Sequence, residues 1–297
     1  MNLNKIKGNA YYIDSPTNIG VYTFKNKNCI LIDTGINNSS AKKLNDILLS
    51  NNLHPKYIIN THSHGDHCGG NTFFKDNYPG CQVFSSPKEK LYIENPYIYS
   101  SILYTASAIK PLANSSKPCG VDFILNEGIN KISDDKFEII SLKGHTVDQI
   151  GIITPEKVCF LGDSIFSDEI LDKYSLPYLN SIEESLNTLN FLKTIEADFF
   201  LPSHSQKILT REELLNLIHR NIKNLEDYIN LFLELLDQPL TKEDLVENLC
   251  ILKDLQIDFK AYHITYSTVS AFLAYLYNKD LINFSVENFR LYYFRKS

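Results

Sequence analysis

Between Thr61 and Gly70 the chain reads Thr-His-Ser-His-Gly-Asp-His-Cys-Gly-Gly, which puts His62, His64, Asp66 and His67 within six residues. The segment follows an apolar run, Tyr57-Ile58-Ile59. Side chains two apart on extended backbone face the same way, so His62 and His64 can point together at one cation. Asp66 and His67 come after a glycine that permits a sharp turn, so they can be aimed at a second cation beside the first. Three further donors stand just after apolar stretches: His145, Asp163 and His204. Imidazole and carboxylate suit zinc, iron or manganese without choosing among them. Two such ions about 3.5–4 Å apart can hold a bridging hydroxide near neutral pH and polarise a substrate oxygen. A lone histidine is more often a core or surface residue than a ligand; an ordered set at strand ends reads as a site.

Those donors need strands to carry them. Alternating or continuous apolar runs predict strands at 11–13, 19–24, 29–33, 57–60, 81–85, 137–142, 149–153, 157–164 and 199–204. Helices are expected after Asn38-Ser39-Ser40, with Leu44, Ile47 and Leu48 on one face, around Phe73 and Phe74, and through Ile182, Leu186, Leu189 and Leu192. Strands alternating with helices give an α/β fold with a buried sheet. Residues 86–126 break the pattern, interleaving Tyr92, Tyr97, Tyr99 and Tyr104 with Pro96, Pro111 and Pro118. This stretch reads as a partly helical excursion, either a surface insertion packed on its own aromatics or a pocket wall.

Length and composition set the outer bounds. With 297 residues, 43% hydrophobic and 22% charged, the chain can bury a substantial core. A formal charge of −6 argues against a general nucleic-acid binder, which needs a positive footprint. The first residues lack an apolar secretory region, and no run is long enough to span a bilayer. Six cysteines with no C-x-x-C pair read as reduced thiols, so the expected location is cytoplasmic.

The stretch Thr61–Gly70 resembles the HxHxDH signature of the metallo-β-lactamase superfamily, whose members include glyoxalase II-like metallo-hydrolases. Asp33-Thr34-Gly35, Gly144-His145-Thr146, Leu161-Gly162-Asp163 and Pro202-Ser203-His204 are similar to that family's other motifs, in the same order. The resemblance covers residues 10–210 and implies a four-layer αββα sandwich with the site along one edge. By similarity, His62, His64 and His145 would hold one metal and Asp66, His67 and His204 the other, with Asp163 bridging. Asp66 and Asp163 are then the catalytic carboxylates, around two divalent ions, zinc ahead of iron or manganese. Ser203 and Ser205 stand where relatives often carry Gly. On its own chemistry Asp33 is better suited to a turn or supporting role than to ligation. Cys68 reads as a buried neighbour, and His54, His219 and His263 lack partners at ligand spacing.

The remainder divides off at residue 210: a catalytic domain of residues 1–210 and a small, mainly helical domain of residues 211–297. An amphipathic helix over 211–235, a helix capped at Thr241, a third from Thr265 to Tyr277 and a hairpin over 281–294 resemble a winged-helix module. Residues 241–297 carry seven basic and seven acidic side chains, and residues 267–277 have no Lys or Arg. Packing, homodimer contact or covering of the pocket therefore ranks ahead of nucleic-acid binding. The leading expectation is a small-molecule hydrolase acting on an ester, thioester or lactone-like carbonyl. The rivals are an RNA-directed phosphodiesterase, a mononuclear-iron oxygenase resembling persulfide dioxygenases, and a DNA-binding regulator. The pocket walls are expected from 86–126, 164–180 and the C-terminal segment.

Overall fold

Along strand 28–32, Ile30 and Ile32 face one side and Cys29 and Leu31 the other, and all four are buried, so this strand must be covered on both faces. The computed structural model, which describes residues 1–112, 116–174 and 176–296, supplies both covers. The expected wall segments are therefore seen except for residues 113–115, 175 and 297, which lie outside the described residues.

The first sheet opens as an antiparallel meander of β1 (Leu3–Lys7), β2 (Ala10–Ile13), β3 (Ile19–Thr23) and β4 (Asn28–Ile32). Helix α1 (Asn38–Ser50) then crosses to β5 (His54–Ile59), which lies parallel to β4. Short helices α2 (Gly65–Cys68) and α3 (Asn71–Asn77) lead to β6 (Gln82–Ser85). Helices α4 (Pro87–Glu94) and α5 (Tyr97–Tyr104) precede β7 (Phe123–Ile124), which closes a seven-stranded sheet in sequence order. The second sheet runs β12-β11-β10-β9-β8, from β8 (Gly128–Ile132), β9 (Asp135–Ser141), β10 (Ile150–Ile153), β11 (Val158–Gly162) and β12 (Phe199–Pro202). Helices α6 (Asp168–Tyr174) and α7 (Ile182–Leu192) connect β11 to its parallel neighbour β12.

Three apolar layers hold this together. Tyr22, Ile30, Ile32 and Ile59 meet Phe137, Ile139, Ile152 and Phe160 between the sheets. Val21, Leu31 and Ile58 pack outward on Ala41, Leu44 and Leu48 of α1 and on Phe74 of α3. Ile140, Ile153, Cys159 and Leu161 pack outward on Leu189 and Leu192 of α7 and on the C-terminal helices. Each fully buried side chain of this size contributes about 1.5–3 kcal/mol. The result is the four-layer αββα sandwich.

The C-terminal segment follows the expected order: α8 (Arg211–Leu235), α9 (Lys242–Leu252), α10 (Phe259–Asn278), then β13 (Ile282–Glu287) paired with β14 (Arg290–Arg295). Capping boxes at Thr210/Glu213 and Thr241/Asp244 start α8 and α9, each cap worth about 1 kcal/mol. Phe272 of α10 meets Phe232 of α8 at a ring separation of 4.9 Å. Leu214, Phe232, Leu249 and Phe272 join the outer core of the second sheet, so the apolar interior is continuous across residue 210.

Two local expectations are revised, and one strand was not expected. β1 is a half-exposed edge strand, Leu-Asn-Lys-Ile-Lys, whose alternation is too polar to stand out in sequence. Asn37, not the residues after it, caps α1 by accepting from the Ser40 N–H. α10 starts at Phe259, before Thr265, because the Asp258 side chain accepts from the Ala261 N–H. Residues 86–126 contain two helices, in keeping with a partly helical stretch. Among the described residues no helix is long and apolar enough to cross a membrane.

Candidate metal centre

All seven sequence-selected donors gather at one edge of the sandwich. The first sheet delivers four of them after β5, and the second sheet delivers His145 after β9, Asp163 after β11 and His204 after β12. Backbone bonds tie the sheets together here: Ile150 N–H donates to the Thr61 carbonyl at 3.0 Å, and Asn18 N–H to the Ser203 carbonyl at 2.7 Å.

The turn between His64 and Asp66 is a helix start and does not rely on left-handed glycine. His64 is extended (φ −65°, ψ 148°) and serves as the N-cap of α2, and Gly65 is not among the residues with positive φ. The glycines that are required come later. A Cβ on Gly69 would lie 2.2 Å from the Ile36 carbonyl oxygen, and one on Gly70 2.4 Å from that of Thr34. That close approach brings Asp33, at the end of β4, against His67.

The donor atoms form two groups sharing one carboxylate. His64 Nδ1 lies 3.2 Å from His62 Nε2 and 2.9 Å from His145 Nε2. Three nitrogens around a tetrahedral ion with bonds of 2.0–2.1 Å would sit about 3.3 Å apart, close to this spacing. His204 Nε2 is 3.3 Å from Asp66 Oδ2, and His67 Nε2 is 3.5 Å from the same oxygen. Asp163 stands between the groups, with Oδ1 3.5 Å from His67 Nε2 and Oδ2 3.5 Å from His145 Nε2 and 3.4 Å from His204 Nε2. Donor atoms of His62/His64/His145, of Asp66/His67/His204 and of His62/His67/Asp163 each fall within 4.8 Å of one another. His54, His219 and His263 stay outside; His263 packs on Tyr104 at 5.4 Å.

The outward nitrogens show how the rings are aimed. His62 Nδ1 meets Thr61 Oγ1 at 3.0 Å, His67 Nδ1 meets Asp33 Oδ2 at 2.8 Å, His145 Nδ1 meets the Tyr178 carbonyl at 2.9 Å, and His204 Nδ1 meets the Pro16 carbonyl at 2.8 Å. Such bonds fix ring orientation and leave the inner Nε2 lone pair free. Asp33, read from sequence as a supporting residue, is one: it also accepts from Thr61 N–H at 2.9 Å and Thr61 Oγ1 at 2.8 Å, from backbone at φ +67°.

Thr17 and Glu89 gave no sequence signal. Thr17 Oγ1 donates to Asp66 Oδ2 at 3.1 Å. Glu89, fully buried on the first turn of α4, accepts from Ser63, Thr146 and Asp148. A charged residue at a helix start reads as solvated, so its burial was invisible. Tyr99 of α5 and Tyr178 bracket the His64 ring at 5.0 and 5.6 Å. Tyr178 lies beside Ser267 of α10 and beside Tyr99, the two tyrosine rings 6.1 Å apart. Residues 86–126 and α10 thus wall the site. Asp66 and His204 side chains are 34% and 24% exposed against 7% for Asp163, so the opening lies on their side.

Charge is distributed as a cation site requires. Burial, then neighbouring imidazoles, push His62 and His145 down and His64 down to about 3, keeping these rings neutral. Burial opposes a charge on Asp163 and Asp66 too, but His67 and His204 outweigh it and hold both carboxylates below their ordinary range. His67 and His204 rise in return, His204 to about 10, because the carboxylates outweigh burial. Without a cation, protons on these two rings supply the positive charge the carboxylates call for. His64 Nε2, His67 Nε2 and Asp163 Oδ1 are buried with no hydrogen-bond partner, and two of these are donor atoms facing the centre. A buried polar atom left unpaired costs about 1–3 kcal/mol, which a metal ion at this point removes. The residues fit a metal site.

The model of the metallo-beta-lactamase superfamily matches residues 12–204. A hydroxyacylglutathione hydrolase of Prochlorococcus marinus is 30% identical over 145 residues, 48% of each protein. Another, of Hamiltonella defensa, is 25% identical over 73% of this chain and 83% of its own. The aligned part of this chain spans about half the length of the first curated relatives it matches. A metallo-beta-lactamase family protein from Thermus thermophilus superposes with a TM-score of 0.74 at 18% identity, over 97% of this chain and 99% of its own. That shared fold includes the C-terminal helices. With the family model running from β2 to His204, about two thirds of the sequence, the chain belongs to the metallo-beta-lactamase superfamily.

Proposed function

We propose that this protein is a dinuclear-metal hydrolase that cleaves a carbonyl substrate of thioester, ester or lactone type. The observation that carries this reading is Asp163, whose two oxygens face histidines of both donor groups. His62, His64 and His145 would hold one ion, Asp66, His67 and His204 the other, and Asp163 would be shared. When bound, such a pair supplies an acidified water and polarises a carbonyl oxygen. Asp66, held by Thr17 and on the open side, would also help to orient that water. Tyr99 and Tyr178 keep bulk water from His64. The relatives named hydroxyacylglutathione hydrolases favour a thioester among the three carbonyl classes.

Residues 1–210 are read as the catalytic unit and 211–297 as a winged-helix-like cover, with zinc as the metal and the cytoplasm as the location. The contact of Ser267 with Tyr178 supports the covering role over nucleic-acid binding. Elemental analysis with a thioester assay tests the whole. Two zinc ions per chain, with turnover lost on chelation and restored by zinc, is the expected result. One iron per chain with oxygen consumption, or turnover indifferent to chelation, would overturn it.

A further inference from the structure

Four of the five site histidines have an outward nitrogen fixed by an oxygen; His64 does not. It faces the centre through Nδ1, and its buried Nε2 has no partner. Something other than its own hydrogen bond must set that ring. We propose that Glu89 is a positioning residue for the first metal group, tying the loop that carries His62 and His64 to the loop that carries His145. This rests on the metal-site reading above.

The carboxylate divides its two oxygens between the loops. Oε2 accepts from Ser63 N–H at 2.9 Å and Ser63 Oγ at 2.5 Å; Ser63 lies between His62 and His64. Oε1 accepts from Thr146 Oγ1 at 2.6 Å and Asp148 N–H at 3.1 Å; Thr146 follows His145. One loop leaves the first sheet and the other belongs to the second. The start of α4 is itself anchored to the second loop, since Ser86 Oγ donates to the Asp148 carbonyl at 2.7 Å and Lys88 N–H to Asp148 Oδ2 at 3.0 Å. With the backbone bond between Ile150 and Thr61, this carboxylate joins the two segments that carry the three inner nitrogens. Burying a carboxylate is costly, and four donors are what make it tolerable. The same four donors make it specific. A glutamine has one acceptor oxygen and one NH2 group, so in either orientation its NH2 faces two donors and one loop is released.

The test is Glu89→Gln, read by zinc affinity in competition with a chromogenic chelator and by the absorption spectrum of the cobalt-substituted protein. Zinc should bind about 10–100-fold more weakly, the range for loss of residues that orient ligands, and the cobalt bands should shift. Unchanged affinity with an unchanged spectrum overturns the proposal, even if thermal stability falls, because a packing role alone moves only stability. If Glu89→Gln does not fold, the Ser63→Ala/Thr146→Val double variant keeps the carboxylate and removes one hydroxyl donor from each loop. Weaker zinc binding there supports the proposal and unchanged binding overturns it. A parent protein that binds no zinc or cobalt sinks the metal-site reading itself, a result distinct from either.

Discussion

Asp163→Ala is expected to lower thioester hydrolysis on the order of 10³-fold or more, the scale seen when one member of a group acting as a unit is removed. Its carboxylate lies 3.4–3.5 Å from His67, His145 and His204. Those rings belong to different donor groups, so losing the carboxylate affects both together. It also removes the strongest counter-charge holding protons on His67 and His204. The variant should therefore bind fewer than two ions per chain as well as turn over slowly. Asp163→Asn separates the contributions, since it keeps the volume and removes the charge. Retention of two zinc ions with turnover within about tenfold of the parent would show that Asp163 is not shared.

Asp33→Ala should be the most damaging change away from the inner donor atoms. Asp33 is 1% exposed and receives Thr61 N–H, Thr61 Oγ1 and His67 Nδ1. Alanine would leave these donors buried and unpaired, and it tolerates φ +67° poorly. A loss of about 3–5 kcal/mol is expected in the metal-free protein, measured from the urea midpoint. Asparagine accepts the left-handed backbone but turns an NH2 towards one of the donors, so Asp33→Asn should fall between parent and alanine variant. Measuring without metal separates this role from ligation. If alanine cost under about 1 kcal/mol, Asp33 would not be organising β4, Thr61 and His67.

Much of the site was legible because ligand chemistry restricts residue type. His62, His64, Asp66 and His67 declared themselves by spacing, and His145, Asp163 and His204 by standing after apolar strands. The fold was legible where burial on both faces produced continuous apolar runs, as in β4, β5 and β11. Legibility failed where a residue's surroundings decide its role. Glu89 looks like any acidic residue in a first helical turn, and Thr17 like any turn threonine. Tyr99 and Tyr178 lie far apart in sequence, and only the docking of α10 brings Ser267 to them. The glycine-based turn was misattributed, because a helix start after extended backbone serves equally well at Gly65.

The continuous interior across residue 210 bears on how this chain comes into being. Ribosomes release the polypeptide from its first residue onward, so His145, Asp163 and His204 emerge before Phe232, Leu249 and Phe272 exist. Until then the outward side of the second sheet, with Ile153, Leu161 and Phe200, lacks the cover that α8, α9 and α10 give it. A nascent chain stalled after residue 210 is expected to bind a hydrophobic dye and to be cut by protease where the finished protein resists. A stalled chain as resistant as the finished one would mean that the sandwich closes unaided. Otherwise the strands that carry His145, Asp163 and His204 gain their rigid backing only once α8, α9 and α10 have been made.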